Sequence, residues 1–211
     1  MYEMKKEIGE SIYHFFYRLF RSFSFLIIKL LAGFRVEIEG EKEVPRDKEL
    51  LIVGPHTSYW DPPLIAAALG GDNYVFFVAG ESLLSNPIFY VPVRFFSITV
   101  NREDFGRKDY RKLLKAFKVH RLVGILPEGA IREGVEPKKG AVRLVEGTDR
   151  LFLPVSIEYD RYPSPFSFAF RRVQVVFRKP VSFEELEERS GVDKKDEDYY
   201  QILTETLVNS F

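Results

Sequence analysis

Leu50-Leu51-Ile52-Val53-Gly54-Pro55-His56-Thr57-Ser58-Tyr59-Trp60-Asp61-Pro62-Pro63, followed by Leu64-Ile65-Ala66-Ala67-Ala68-Leu69, is the stretch whose reading decides the fold. Four apolar residues bounded by turn formers read as a buried strand. Pro62-Pro63 and the apolar run behind them read as the start and body of a helix, with Asp61 as its cap. A strand that passes through a short loop into a helix is the repeating unit of an α/β sheet. Such sheets collect ligands at the carboxyl ends of their strands. His56 stands on that loop, with Asp61 five residues later. Imidazole suits proton transfer near neutrality, and a carboxylate beside it fixes the tautomer and balances the imidazolium. Taken alone, the pair reads equally well as a structural turn and a helix cap.

Outward from this stretch, strands and helices alternate. Phe34–Gly40 alternates apolar and charged residues, as a half-exposed strand does. Tyr74–Ala79, Ser97–Val100, Leu122–Leu126, Leu151–Tyr159 and Val173–Val181 read as further strands. Arg107–Arg121 has Tyr110, Leu113, Leu114 and Phe117 at helical spacing, and Phe183–Arg189 and Asp196–Phe211 read as closing helices. Ser82–Phe96 is apolar and broken by Pro87 and Pro92. The order predicts a single α/β domain with a central, mostly parallel or mixed sheet and helices on both faces. With 211 residues the chain is long enough for a large core.

Net charge is zero, so composition points to no nucleic-acid partner. The charge is unevenly spread. Residues 11–35 carry Arg18, Arg21, Lys29 and Arg35 and no acid, whereas residues 184–198 are acidic. From Ile8 to Phe34 the apolar residues Ile12, Phe15, Phe16, Leu19, Phe20, Phe23, Leu26, Ile27, Leu30 and Leu31 recur at threes and fours. That spacing draws an apolar stripe along a helix, with Phe25 and Ile28 falling outside it. A break near Ser22–Ser24, giving two helices, would absorb the misfit. The uncharged stretch Ser22–Ile28 is far short of the roughly 20 residues that span a bilayer. Residues 1–33 therefore read as an amphipathic segment lying on an anionic membrane surface, with 34–211 as the α/β domain. The expected place is the cytoplasmic face of the cell membrane, peripheral or monotopic. Packing of this helix on its own domain is the competing reading.

The chain has no cysteine and only His14, His56 and His120, which leaves no thiol chemistry and no histidine-rich metal cluster. No Gly-x-Ser-x-Gly elbow, P-loop or Gly-x-Gly-x-x-Gly fingerprint occurs. What remains is a base without a nucleophile of its own. A proton removed by His56 would then belong to a substrate, which points to direct attack by a substrate hydroxyl on an activated carbonyl, with no acyl-enzyme.

Further blocks stand in order behind the first: Phe96-Ser-Ile-Thr-Val-Asn-Arg102, Leu126-Pro127-Glu128-Gly129-Ala130-Ile131-Arg132, Lys138-Lys139-Gly140 and Leu153-Pro154-Val155-Ser156-Ile157. Together with His56-x4-Asp61 they resemble the ordered motifs of the glycerolipid acyltransferases, in particular the bacterial 1-acylglycerol-3-phosphate acyltransferases, over roughly residues 30–160. The resemblance implies transfer of an acyl group from acyl carrier protein or coenzyme A to the free hydroxyl of 1-acylglycerol-3-phosphate, forming phosphatidate, with no cofactor and no metal. By the same resemblance His56 is the base and Asp61 its orienting partner. Ser58, Arg102, Glu128, Gly129, Lys138 and Pro154 would form the substrate site, Arg102 as a guanidinium clamp on the acceptor's phosphate. Read singly, Arg102 could equally pair with Glu103 or Asp104, Glu128-Gly129 could be a plain turn, and Pro154 an edge-strand residue.

The sequence departs from the family's pattern in places. Pro55 replaces an Asn, Ala130 a Thr, and Arg132 stands one position late behind Ile131. These departures leave open an acceptor that is another lysophospholipid or a glycolipid, or a non-catalytic membrane-bound lipid carrier. Backbone N–H groups around Thr57 and Ser58 are the candidates for stabilising an oxyanion.

Overall fold

Leu50–Val53 forms strand β2, and all four side chains are buried. Successive residues of a strand face opposite sides. Leu51 and Val53 accordingly join one hydrophobic cluster, and Leu50 and Ile52 the other. A strand apolar on both sides needs a layer of helices over each face, and the rest of the chain supplies them. The computed structural model describes residues 9–31, 35–127, 137–160 and 172–211.

The other strands are β1 (Val36–Glu39), β3 (Val75–Gly80), β4 (Ser97–Val100), β5 (Leu122–Ile125), β6 (Leu151–Tyr159) and β7 (Val173–Phe177). They form one seven-stranded sheet in the order β1-β7-β6-β2-β5-β3-β4. β2 to β6 run parallel, β7 is antiparallel to β6, and β1 is parallel to β7. The helices are α1 (Glu10–Leu31), α2 (Asp61–Leu69), α3 (Pro87–Phe96), α4 (Arg107–Val119), α5 (Gly140–Val145), α6 (Phe183–Ser190) and α7 (Tyr199–Val208). α4 to α7 cover one face, and α2 with Ile28 of α1 covers the other. From β2 the chain crosses to β3 on one side, and from β5 it crosses back to β6 on the other. The two crossovers part at the carboxyl end of β2, the place where open sheets bind ligands.

Several boundaries differ from the sequence reading. Pro92 sits inside α3 without ending it. It removes one helical hydrogen bond, to the carbonyl of Ile88, a residue 77% exposed, where water replaces the lost donor. β7 stops at Phe177, before Pro180, and Val181 rejoins the sheet by a single bridge to Phe152. α5 had no sequence signal strong enough to separate its six residues from a loop.

The largest difference concerns α1. It is one continuous helix with no break at Ser22–Ser24. Tyr13, Tyr17, Ser24 and Ile28 face inward, at spacings of four, seven and four. The Tyr17 hydroxyl accepts from the Val75 N–H (2.8 Å) and donates to its carbonyl (3.0 Å). One side chain thus satisfies both backbone groups of a residue that β4 does not reach. Burial pushes the Tyr17 hydroxyl up to about 12. Tyr13 stacks on Phe76 and donates to the Phe95 carbonyl at 2.7 Å. Because Tyr13 belongs to one core cluster and Ile28 to the other, α1 is an integral part of the domain. The phenylalanine-rich stripe faces outward. Phe15 and Phe23 are 62% and 60% exposed, and Ile12, Phe16, Leu19, Leu26 and Leu30 lie open beside them. No helix among the described residues is long and apolar enough to cross a membrane.

At the amino-terminal end of the sheet a buried guanidinium ties the strands together. Arg150 donates to the carbonyls of Leu50 and Arg121 (both 2.9 Å), Phe117 (2.6 Å) and His120 (3.0 Å), and to Glu49 (2.9 Å). Its planar fork lies over the Phe117 ring, 4.6 Å from the centroid. Removing it strands several buried carbonyls at once. Arg150→Leu is expected to lower unfolding free energy in urea by about 3–5 kcal/mol. Arg150→Lys should recover only part, since an ammonium cannot match the fork. A loss within roughly 1 kcal/mol for Arg150→Leu would show that the clamp holds little of the fold together.

Candidate active site

His56 lies three residues beyond β2 on the loop Gly54–Trp60, and the loop runs close over β6. A Cβ on Gly54 would stand 2.9 Å from the Val155 carbonyl oxygen, closer than real side chains approach. Glycine there allows the backbone to pass over β6. Asp61 is the first residue of α2, with Trp60 as the flanking residue and no side-chain cap. The expectation that Asp61 caps the helix is therefore corrected. Its carboxylate turns back into the loop, where Oδ2 accepts from the N–H groups of Thr57 and Ser58, each at 2.7 Å.

These two donors were also the candidates for an oxyanion site. Asp61 occupies both, and the oxyanion assignment does not hold. The same oxygen lies 3.6 Å from His56 Nδ1. The Asp61 side chain is fully buried and that of His56 is 11% exposed, so the carboxylate faces the ring from within. The 3.6 Å separation is longer than a hydrogen bond, as contacts of this kind often are before substrate binds. A buried carboxylate fixed by several donors is suited to orient an imidazole through Nδ1 and leave Nε2 for a reacting proton.

The second carboxylate oxygen, Oδ1, accepts from the Tyr159 hydroxyl at 2.6 Å. Tyr159 is the last residue of β6. Its phenol is held well above the usual range, first by burial and then by the charge of Asp61. Ser58 is fully buried. Its Oγ accepts from Trp60 N–H at 3.2 Å. Ser58 is thus buried within the turn that it holds.

Arg102 follows β4 by two residues and turns inward. Its Nη2 donates to the Val78 carbonyl at 3.3 Å, and its side chain lies along Gly80. Burial lowers its pKa, and the nearby Tyr59 hydroxyl acts in the opposite direction. Tyr59, three residues from His56, also packs against Phe89 of α3 at 4.8 Å between centroids. The loop of β2, the end of β4 and the start of α3 thus meet through one aromatic residue.

Pro154 pairs with Val53 at the end of β2, on a strand with neighbours on both sides, so it is not an edge residue. Phe152 exchanges hydrogen bonds with Val181 and the Pro154 carbonyl accepts from Arg178 N–H. The missing Pro154 donor therefore faces Arg178–Pro180, where the ladder with β7 is interrupted. Lys138 is exposed, and its backbone N–H donates to the Pro127 carbonyl, holding the chain beside the end of β5. Glu128, Gly129 and Arg132 lie outside the described residues. Among the described residues no group of His, Asp and Glu could hold a metal ion.

His56 and Asp61 lie together on the loop beyond β2, with Pro154 beside the end of that strand and Arg102 following β4. The acyltransferase family's model matches residues 35–158, from just before β1 to the penultimate residue of β6. This chain belongs to the acyltransferase family. A curated relative, the 1-acyl-sn-glycerol-3-phosphate acyltransferase of Borreliella burgdorferi, is 28% identical over 133 residues, 60% of this chain and 52% of the relative. The chain therefore spans about half the length of that protein. In fold the acyltransferase domain is similar to the crystal structure of the 1-acyl-sn-glycerophosphate acyltransferase PlsC from Thermotoga maritima. The TM-score is 0.62 at 20% identity, over 100% of this chain and 95% of that one. Tyr159 and Tyr59 are the site residues that sequence reasoning missed. Tyr159 carried one usable signal, its place at the carboxyl end of the Pro-Val strand.

Gly54→Ala tests the loop's dependence on close passage over β6. It is expected to cost about 1–3 kcal/mol in urea unfolding and to move the amide resonances of residues 55–61. Unaltered loop resonances would mean the backbone has room that the geometry denies it.

Proposed function

We propose that this acyltransferase moves a fatty acyl group from an acyl thioester, on acyl carrier protein or coenzyme A, to the free hydroxyl of 1-acylglycerol-3-phosphate, forming phosphatidate. The observation that carries the reading is the His56–Asp61 pair at the crevice of the sheet, in a chain with no thiol and no nucleophile elbow. His56 Nε2 takes the proton of the acceptor hydroxyl as its oxygen attacks the thioester carbonyl. The tetrahedral intermediate collapses, the carbon–sulfur bond breaks, and the imidazolium returns its proton to the leaving thiolate. The protein forms no covalent bond at any stage. Asp61 stabilises the charge that His56 acquires between the two transfers.

Arg102 is the proposed ligand of the acceptor's phosphate. Its partly buried guanidinium is permanently charged and binds phosphate through two parallel hydrogen bonds. Glu128, Gly129, Lys138 and Pro154 are proposed to shape the same site. The altered third block, Ala130-Ile131-Arg132, favours a second reading in which the acceptor is another lysophospholipid or a glycolipid. A donor-by-acceptor panel on purified protein tests both. His56→Ala is expected to lower turnover at least about a thousandfold. Arg102→Ala should raise KM for the phosphate-bearing acceptor by about 10–100-fold and leave phosphate-free acceptors unchanged. Full activity of His56→Ala would sink the mechanism. A wild-type preference for phosphate-free acceptors would select the second reading, and tight lipid binding without product from any donor would make the chain a carrier.

The outward stripe of α1 gives such an enzyme access to its lipids. Ile12, Phe15, Phe16, Leu19, Phe23, Leu26 and Leu30 are exposed on one side, flanked by Arg18 and Lys29. This is the pattern of a helix lying in the headgroup region of an anionic leaflet. The proposed location is accordingly peripheral, on the cytoplasmic face of the cell membrane. Phe15→Ser with Phe23→Ser removes two rings worth about 1.5–3 kcal/mol each when buried in lipid. Co-sedimentation with anionic phosphatidylglycerol vesicles should fall more than about tenfold with circular dichroism unchanged. Equal binding by the double variant would mean that this face does not dock on lipid.

A further inference from the structure

We infer that Tyr159 is a positioning residue for the His56–Asp61 pair, fixing the rotation of the Asp61 carboxylate so that Oδ2 faces the imidazole. The inference rests on the reading of His56 as the base. The terminal torsion of an aspartate is broad and nearly two-fold, so Asp61 does not select its own rotation. Its surroundings do. Oδ2 is taken by the N–H groups of Thr57 and Ser58, and Oδ1 by the Tyr159 hydroxyl at 2.6 Å. Hydrogen bonds to a charged acceptor are the strong ones, and together these three hold the carboxylate plane from both ends.

The placement of the tyrosine makes the hold rigid. Thr57 and Ser58 belong to the same loop as His56 and move with it. Tyr159 comes from β6, where it pairs with Val173 of β7, and so references the loop to the sheet. Ser58 closes the arrangement. Its backbone N–H donates to Oδ2, and its side chain stands beside the Tyr159 hydroxyl and influences its ionisation. The Tyr159 phenol stays protonated, since burial and the carboxylate both oppose its ionisation. It acts as a neutral donor that orients Asp61 and takes no part in moving the substrate's proton. Tyr159 stands one residue beyond the span that matches the family, residues 35–158.

A role of this kind separates turnover from binding. In the full-length protein Tyr159→Phe, which keeps the ring and removes the hydroxyl, is expected to lower kcat about tenfold. KM for the acyl donor and for the lysophospholipid should change by less than about twofold, because the Asp61 side chain is fully buried. With Asp61→Asn already in place, Tyr159→Phe should have no further effect on kcat, the coupling expected of two residues acting as one unit. Ser58→Ala should lower kcat in the same direction by about threefold, and stands in if Tyr159→Phe does not fold. The inference is overturned if His56→Ala is inactive while Tyr159→Phe keeps kcat within about twofold of wild type, or if its loss adds in full to that of Asp61→Asn. Activity retained by His56→Ala overturns the base reading itself, and this inference with it.

Discussion

The buried carboxylate of Asp61 is the interaction on which the rest of the site depends. A fully buried acid is costly unless donors surround it, and here the loop's own backbone supplies two and the end of β6 a third. The loop can close only around that carboxylate, and when it closes His56 is left at the surface of the crevice with Nδ1 facing inward. The chemistry and the local fold are therefore the same arrangement. The N–H groups of Thr57 and Ser58 are both taken up by this carboxylate, which faces His56 from within the loop.

The sheet sets where this happens. Val53 lies opposite Pro154, and β6 runs on past the end of β2 to Tyr159, so the longer strand reaches beside the loop that the shorter one releases. The missing donor of Pro154 falls where β7 has left the ladder, which allows a proline in an interior strand. Arg150 anchors the opposite end, binding carbonyls from β2, from α4 and from the turn before β5 in one buried fork. Register fixed at both ends sets the order β6-β2-β5, with His56 on the loop beyond β2 and Tyr159 at the end of β6 beside it. Arg102 reaches the same edge from β4, over a glycine that leaves room for its stem.

Much of this was legible in the sequence, because the signals were local. Short apolar runs between turn residues marked the strands, and the ordered blocks marked the acyltransferase family. What escaped notice depends on contacts between distant elements. Period alone cannot show which side of a helix packs, and α1 buries two tyrosines and an isoleucine while Phe15, Phe16 and Phe23 point outward. Ile28, off the apolar stripe, belongs to the inner face of a helix that runs unbroken through Ser22–Ser24. Tyr159 escaped for a similar reason: it lies 98 residues from the carboxylate it touches, and nothing local distinguishes it from any tyrosine ending a strand. Pro62-Pro63 look like the start of a helix capped by Asp61 whichever way the carboxylate turns, and here it turns back into the loop.

In the proposed mechanism Asp61 holds His56 through Nδ1 and leaves Nε2 as the base. Long-range proton–nitrogen NMR of protein carrying 15N-histidine reads this directly at a pH where the ring is neutral. The account predicts a proton on Nδ1 and a bare Nε2 for His56, with that preference lost in Asp61→Asn. A wild-type ring carrying its proton on Nε2 would contradict it.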